Sequence, residues 1–281
     1  ITVVVAGETV LEPVYVAKIG EEGHRTLQEA IDASQDNDEI VLLDNVTDVD
    51  ATISKKVTLN LNEKTITDAY IIITSEVNIK GGSIKNVNEP YPLVVQNGGK
   101  LTVDGVGIEA SKSDRAIWVR SGSELVFNNS SILATKGEGN NKTNLIAAIY
   151  TDSNTDVTIN SGTITVDTPD NKAVAIFGNY KNANVTVNGG KISTSGKNYS
   201  YGINVDGDIT VTGGEIVTNE KGYAYSSGIR YGYNYALVTA TGNVTITGGS
   251  ITTNGFSGYA VNVGRSYSSN DQTVSITGGT F

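Results

Sequence analysis

Over most of the chain, apolar residues alternate with Thr, Asn or Ser in short runs, and each run ends in a small-residue pair followed by an isoleucine. The copies include Val77-Asn-Ile-Lys-Gly-Gly-Ser-Ile84, Val157-Thr-Ile-Asn-Ser-Gly-Thr-Ile164, Val185-Thr-Val-Asn-Gly-Gly-Lys-Ile192, Ile209-Thr-Val-Thr-Gly-Gly-Glu-Ile216 and Val244-Thr-Ile-Thr-Gly-Gly-Ser-Ile251. Divergent copies begin at Leu101 and Leu125, a looser one at Val57, and a last one runs from Val274 to Phe281. The starts are 20, 24, 24, 32, 28, 24, 35 and 30 residues apart. Period-2 alternation predicts a strand with one buried face. The glycines predict a bend in which positive φ is tolerated, before a second short strand. A third strand is expected at Leu93-Val-Val95, Ile117-Trp-Val119, Ala148-Ile-Tyr150, Val174-Ala-Ile176, Ile203-Asn-Val205, Ile229-Arg-Tyr231 and Val261-Asn-Val263.

One repeat of three short strands cannot bury its own inner face, whereas repeats stacked about 4.8 Å apart build a continuous core. The pattern therefore predicts an all-β fold, a right-handed parallel β-helix, or solenoid. Variable repeat lengths argue against the left-handed hexapeptide kind, and parallel crossovers favour the right hand. Ile66, Ile84, Ile108, Ile132, Ile164, Ile192, Ile216 and Ile251 recur at one position, with Phe281 at the ninth. Residues 1–56 differ and predict an N-terminal cap with the first coil, continuous with a body over 57–281. Within the cap, Thr26 to Ser34 has helical spacing, and Thr26 with Glu29 reads as a capping box. Val14–Ile19 and Glu39–Leu43 read as strands, and Ile1–Val5 as a strand or linker.

Composition narrows the chemistry. The 281 residues carry no cysteine and one histidine, His24, which excludes disulfides, thiolate sites and a multi-histidine metal site within the chain. A formal charge of −10 and the lack of a basic run argue against nucleic-acid binding. No apolar run approaches the ~20 residues of a membrane-spanning helix, so no membrane insertion is expected. The start at Ile1, without initiator Met or signal peptide, reads as a mature or excised piece.

The run Val16-Ala-Lys-Ile-Gly20, then Thr26-Leu-Gln-Glu-Ala-Ile-Asp-Ala33 and Ile40-Val-Leu-Leu43, resembles the N-terminal cap of extracellular β-helix proteins of Gram-positive bacteria. The Gly-Gly-Ser/Thr-Ile/Phe repeats are similar to their bodies. The resemblance implies membership of the pectate-lyase-like superfamily, an adhesin-like surface protein, and a secreted or cell-wall-associated location. It implies no reaction, because one fold hosts many functions.

Enzymes that cleave acidic polysaccharides use paired carboxylates, or a basic side chain beside calcium-binding acids. The hydrolase signatures Asp-Asp and Gly-His-Gly are absent. Candidate acids are Asp104, Glu109, Asp114 with Arg115 and Arg120 nearby, Asp152, Asp156, Asp206 and Asp208; bends and loop edges make solvated acids the expectation. Asp36, Asp38, Asp44, Asp48 and Asp50 match no EF-hand spacing, and no metal or cofactor is expected. Tyrosines gather late in the chain, where Tyr199 is set against Tyr225 and Tyr201 two coils from Tyr259. They suit either core packing or stacking on sugars. Tyr223, Tyr233 and Tyr235 fall in the longest repeat and are the better contact residues. The outward row of the third strands reads Val94, Trp118, Ile149, Ala175, Asn204, Arg230, Asn262. Its last three members would form a polar groove, so the candidate binding set is Asn204, Tyr223, Arg230, Tyr233, Tyr235 and Asn262. Outward Thr and Asn pairs, such as Thr158/Asn160 and Thr210/Thr212, resemble water-ordering ladders. Lys80, Asp104 and Val126 interrupt them, so ladder hydrogen bonding is the sufficient explanation and ice binding is not expected. The sequence thus favours a non-catalytic surface binding or display module with a carbohydrate or host-surface ligand, against the alternative of a polysaccharide lyase or glycoside hydrolase acting on acidic glycans.

Overall fold

The computed structural model describes residues 2–5, 8–11, 14–86, 92–111, 113–135, 145–168, 172–197, 199–221, 223–225, 228–230, 233–239, 241–254, 257–263 and 272–281. Twenty-six strands belong to a single, mostly parallel sheet. Each strand of the body is hydrogen-bonded to its counterpart in the next repeat. Val57, Val77, Leu101, Leu125, Val157, Val185, Ile209, Val244 and Val274 pair in that order. The isoleucines from Ile66 to Ile251 form a second unbroken column, each at most 2% exposed. Apolar alternation makes this register specific, because a one-residue slip would turn every buried side chain outward.

The expected fold, a right-handed parallel β-helix solenoid of the pectate-lyase-like kind, is corrected. The wall of strands closes through 327° round an axis into a near-complete barrel, with one short helix. The reason is geometric. A repeat specifies which residues pair, but the angle turned at each bend is set by backbone conformation there, and those angles decide whether the wall stays open. The bends stack on one another. Gly214 has φ +86°, and a Cβ there would meet the carbonyl carbon of Gly189 and the oxygen of Gly190 at 2.8 Å, so both conformation and space require glycine.

At the N-terminal end, the helix Leu27–Ala33 buries Leu27, Ala30 and Ile31. Thr26 caps it, accepting from the Glu29 amide at 3.0 Å, while the Glu29 carboxylate reaches back one residue further than a capping box, to the Arg25 amide at 2.9 Å. Lys55 Nζ donates to the carbonyls of Asp32 and Ser34 at the other end, where a cation suits the helix dipole. Ala17–Ile19 lies antiparallel to both Glu22–His24 and Glu39–Leu42. Thr2–Val5 and Glu8–Leu11 form a separate antiparallel pair.

Side chains repeat the backbone register outside the wall. Glu76, Lys100, Glu124 and Asp156 are successive members of one row, with Lys56–Glu76 at 2.9 Å and Lys100–Glu124 at 3.0 Å. The row continues as amide and carboxylate, with Asn184 Nδ2 donating to Asp156 at 3.0 Å. These exposed ion pairs each contribute about 0–1 kcal/mol, so their weight lies in disfavouring wrong registers rather than in stability.

Candidate functional site

The third strands carry the most varied outer surface. Their register aligns Leu93–Val95 with Ile117–Val119, then Ile149–Thr151, Ile176–Gly178, Ile203–Val205, Leu237–Thr239 and Val261–Val263. By register the row beside the buried column is therefore Val94, Trp118, Tyr150, Phe177, Asn204, Val238, Asn262, of which Val94 is covered at 2% exposure. Ile149 and Ala175, expected on this row, are fully buried, and Arg230 is not on it. The cause is a consecutive inward pair in each strand: Ala116-Ile117, Ala148-Ile149, Ala175-Ile176, Gly202-Ile203 and Ala236-Leu237. Two successive inward residues break the period-2 rule, and counting through them shifts the outward assignment by one.

With that register, Trp118, Tyr150 and Phe177 stand in line. The indole meets Tyr150 edge-on at 6.2 Å, and Tyr150 meets Phe177 at 5.3 Å. Arg115, outward on the near side of the inward pair, lays its guanidinium 4.0 Å from the Tyr150 ring centroid and 4.7 Å from that of Trp118. Arg120 lies 4.9 Å from the same indole and donates through Nη1 to Gln96 Oε1 at 2.7 Å. Two of the chain's five arginines thus rest on one ring. Cation–π contacts of this kind are worth about 0.5–2 kcal/mol each.

Two carboxylates complete the cluster. Asp152 accepts from Trp118 Nε1 at 3.2 Å and lies 3.9 Å from Arg120 Nε, and Asp114 lies 3.7 Å from Arg115 Nε. Burial pushes the Tyr150 phenol above its ordinary range against the opposing pull of Arg115, and Tyr180, Asp152 and Asp114 add to the rise. Tyr150 is thus a phenol beside cations and carboxylates that keeps its proton to higher pH than a free one.

Beyond Phe177 the aromatic residues change rows. Tyr201, Tyr235 and Tyr259 lie in register and stack with centroids 5.3 and 5.2 Å apart and interplanar angles of 8° and 12°. Tyr199 stacks beside Tyr201, and Lys172 Nζ lies 4.6 Å from the Tyr199 ring. Burial, with the neighbouring Tyr235 and Tyr199, pushes Tyr201 up to about 12. Tyr199 pairs with Tyr233 rather than with Tyr225, and Tyr201 lies two coils from Tyr259.

The sequence-derived binding set is only partly brought together. Asn204 and Asn262 share the outward row with Val238 between them. Tyr235 belongs to the tyrosine stack, and Tyr233 begins the same strand, Tyr233–Thr239. Tyr223 and Arg230 oppose each other in a separate antiparallel pair, Tyr223–Tyr225 with Gly228–Arg230. Arg230 therefore lies off the strand row that carries Asn204 and Asn262. Sequence reasoning missed Tyr150 and Phe177. The available signal was the segment Arg115-Ala-Ile-Trp-Val-Arg120, which places the chain's only tryptophan between two arginines.

Elsewhere the acids are taken up by ladders and turns. Asp104 accepts from Asn129, Asp156 from Asn184, Asp206 from Thr241 and Asp208 from Asn243, while Glu109 pairs with Lys85 at 3.9 Å. Asp36, Asp38 and Asp44 accept backbone amides near the cap. Among the described residues no group of three or more His, Cys, Asp or Glu is arranged to hold a metal ion. A cavity of about 390 Å³ lies between the helix and Val46–Ile53, lined by Leu27, Val46, Val49, Arg25, Asp48 and Asp50 among others; it shares no residue with the arginine cluster. Among the described residues, no helix is long and apolar enough to cross a membrane.

Comparisons with family models, curated proteins and solved structures find no match. The resemblance to adhesin-like surface proteins therefore gains no support from relatives, and the near-closed wall departs from the solenoid body it implied. The reading as a non-catalytic adhesin-like module, and the lean against an enzyme, are corrected accordingly: near-closed parallel walls are common among enzymes, and the alternative of a glycan-cleaving protein is the better supported. Architecture alone names no reaction, so the site must carry the argument.

Proposed function

We propose that this protein cleaves an acidic polysaccharide, with Arg115, Arg120, Tyr150 and Asp152 forming the reacting cluster. The observation that carries the reading is the pair of guanidiniums supported by Trp118 and Tyr150 on the outer wall. In a chain of net charge −10, they gather two guanidiniums at one place, each beside a carboxylate of its own, Asp114 or Asp152, with which a sugar carboxylate would compete. Arginine beside that carboxylate stabilises the negative charge that develops when the neighbouring C–H proton leaves. In the proposed elimination, Asp152 takes this proton, a C=C bond forms as the glycosidic C–O bond breaks, and Tyr150 gives its proton to the departing oxygen. No water is consumed, and the two side chains recover their protons by exchange with solvent. An acidic glycan lies outside cells, so an extracellular or wall-associated location belongs to the same proposal.

The test is turnover on a panel of uronate-containing and neutral polysaccharides, followed by ultraviolet absorbance of unsaturated sugar ends and by new reducing ends. Cleavage confined to acidic members, abolished by Arg115→Ala with Arg120→Ala and slowed at least 100-fold by Tyr150→Phe, is expected. Reducing ends without unsaturation would replace elimination by hydrolysis. No cleavage of any acidic polysaccharide overturns the proposal.

A further inference from the structure

A different face of the wall carries a regular polar grid. The outward residues of the first strands are Thr158 and Asn160, Thr186 and Asn188, Thr210 and Thr212, Thr245 and Thr247, then Ser275 and Thr277, on five successive repeats. They are in parallel register without a shift. Strand geometry spaces the repeats about 4.8 Å apart and the two rows about 6.6 Å apart, so the grid is roughly 19 Å long. The interruptions that spoil the pattern in sequence, Lys80, Asp104 and Val126, all fall on earlier repeats. The five-repeat stretch contains no charged or aromatic residue in either row.

Ladder hydrogen bonding accounts for one row only. Asn160 Nδ2 donates to Asn128 at 2.9 Å, Asn188 Nδ2 to Asn160 at 2.8 Å, and Thr212 Oγ1 to Asn188 at 2.9 Å, which ties the row together as far as Thr212. The hydroxyls of Thr158, Thr186, Thr210 and Thr245 take no part in such a ladder, and these residues remain partly open to solvent. Each therefore offers a hydroxyl and a methyl group to the outside at a fixed repeat. A rigid, neutral, periodic array loses little conformational freedom on meeting an ordered surface, whereas it offers a single flexible solute no enclosing pocket.

We propose that this face binds ordered water at the surface of ice. The neutral rows suit water, and the absence of any aromatic ring from them disfavours stacked sugars as the occupant. This inference is independent of the proposed cleavage, which uses another face.

The test is thermal hysteresis, ice-crystal shaping and partition of the intact chain into a growing ice front, with sedimentation on crystalline cellulose and chitin in parallel. Wild type is expected to shape crystals and partition into ice. Thr186→Tyr and Thr210→Tyr, which project bulk from the middle of the grid without entering the core, should each reduce both by more than tenfold at an unchanged unfolding midpoint. Arg115→Ala with Arg120→Ala should leave ice binding intact. Failure of wild type to shape ice, retention of shaping by both tyrosine variants, or binding to the crystalline polysaccharides in place of ice overturns the inference.

Discussion

Two outer surfaces of the same wall obey opposite rules. On the first-strand face, successive repeats carry nearly the same residue at the same place, so Thr158, Thr186, Thr210 and Thr245 make a uniform row. On the third-strand face, equivalent positions carry Val94, Trp118, Tyr150, Phe177, Asn204, Val238 and Asn262, a new chemistry at almost every step. Both rest on the same buried columns, so the backbone does not explain the contrast. Repetition produces a surface suited to a periodic partner, and departure from it produces a local cluster able to place unlike groups around one reacting centre.

The sharpest way to break the comparison is to remove what both faces share. Ile192→Ala opens a cavity in the isoleucine column and should cost about 2–5 kcal/mol, read as a lowered urea midpoint. Ice shaping and glycan cleavage should both fall as the folded population falls. Loss of only one would mean that the faces are supported separately.

A smaller effect should follow alkali. Because the Tyr201 phenol is raised to about 12, the unfolded chain releases this proton near pH 10 while the folded chain keeps it. Fewer protons are then bound in the unfolded state than in the native one, so stability falls as pH rises from about 10 to about 12. Tyr201 keeps part of its surface in solvent, so the loss should stay below ~2 kcal/mol. Denaturant midpoints for wild type and Tyr201→Phe should converge across that window, and parallel curves would contradict the assignment.

Trp118→Leu discriminates more finely. It removes the ring under Arg115 and Arg120 and the donor to Asp152, at a cost of about 1–2 kcal/mol. Cleavage should be lost with ice binding retained. The smallest expected change is Glu124→Gln, which removes the partner of Lys100 and should shift stability by less than about 1 kcal/mol, with both functions preserved.

Much of this organisation is legible in the residues themselves. Alternation and the Gly-Gly bends determine the strands, and the recurrent isoleucine determines which residues pair, because burial makes a one-residue slip costly over the whole strand. Thr26 determines where the cap helix begins, since its side chain satisfies the Glu29 amide. What only the tertiary structure decided are the quantities that local pattern does not encode. Closure through 327° depends on angles accumulated at many bends. The inward pairs such as Ala148-Ile149 break the alternation and move Tyr150, rather than Ile149, onto the outer row. Arg115, Trp118, Tyr150 and Asp152 belong to two repeats separated by 32 residues of register, so their meeting needed the folded wall. Periodicity specifies what lies above what; contacts across a bend depend on how far each side chain reaches, and that is settled in three dimensions.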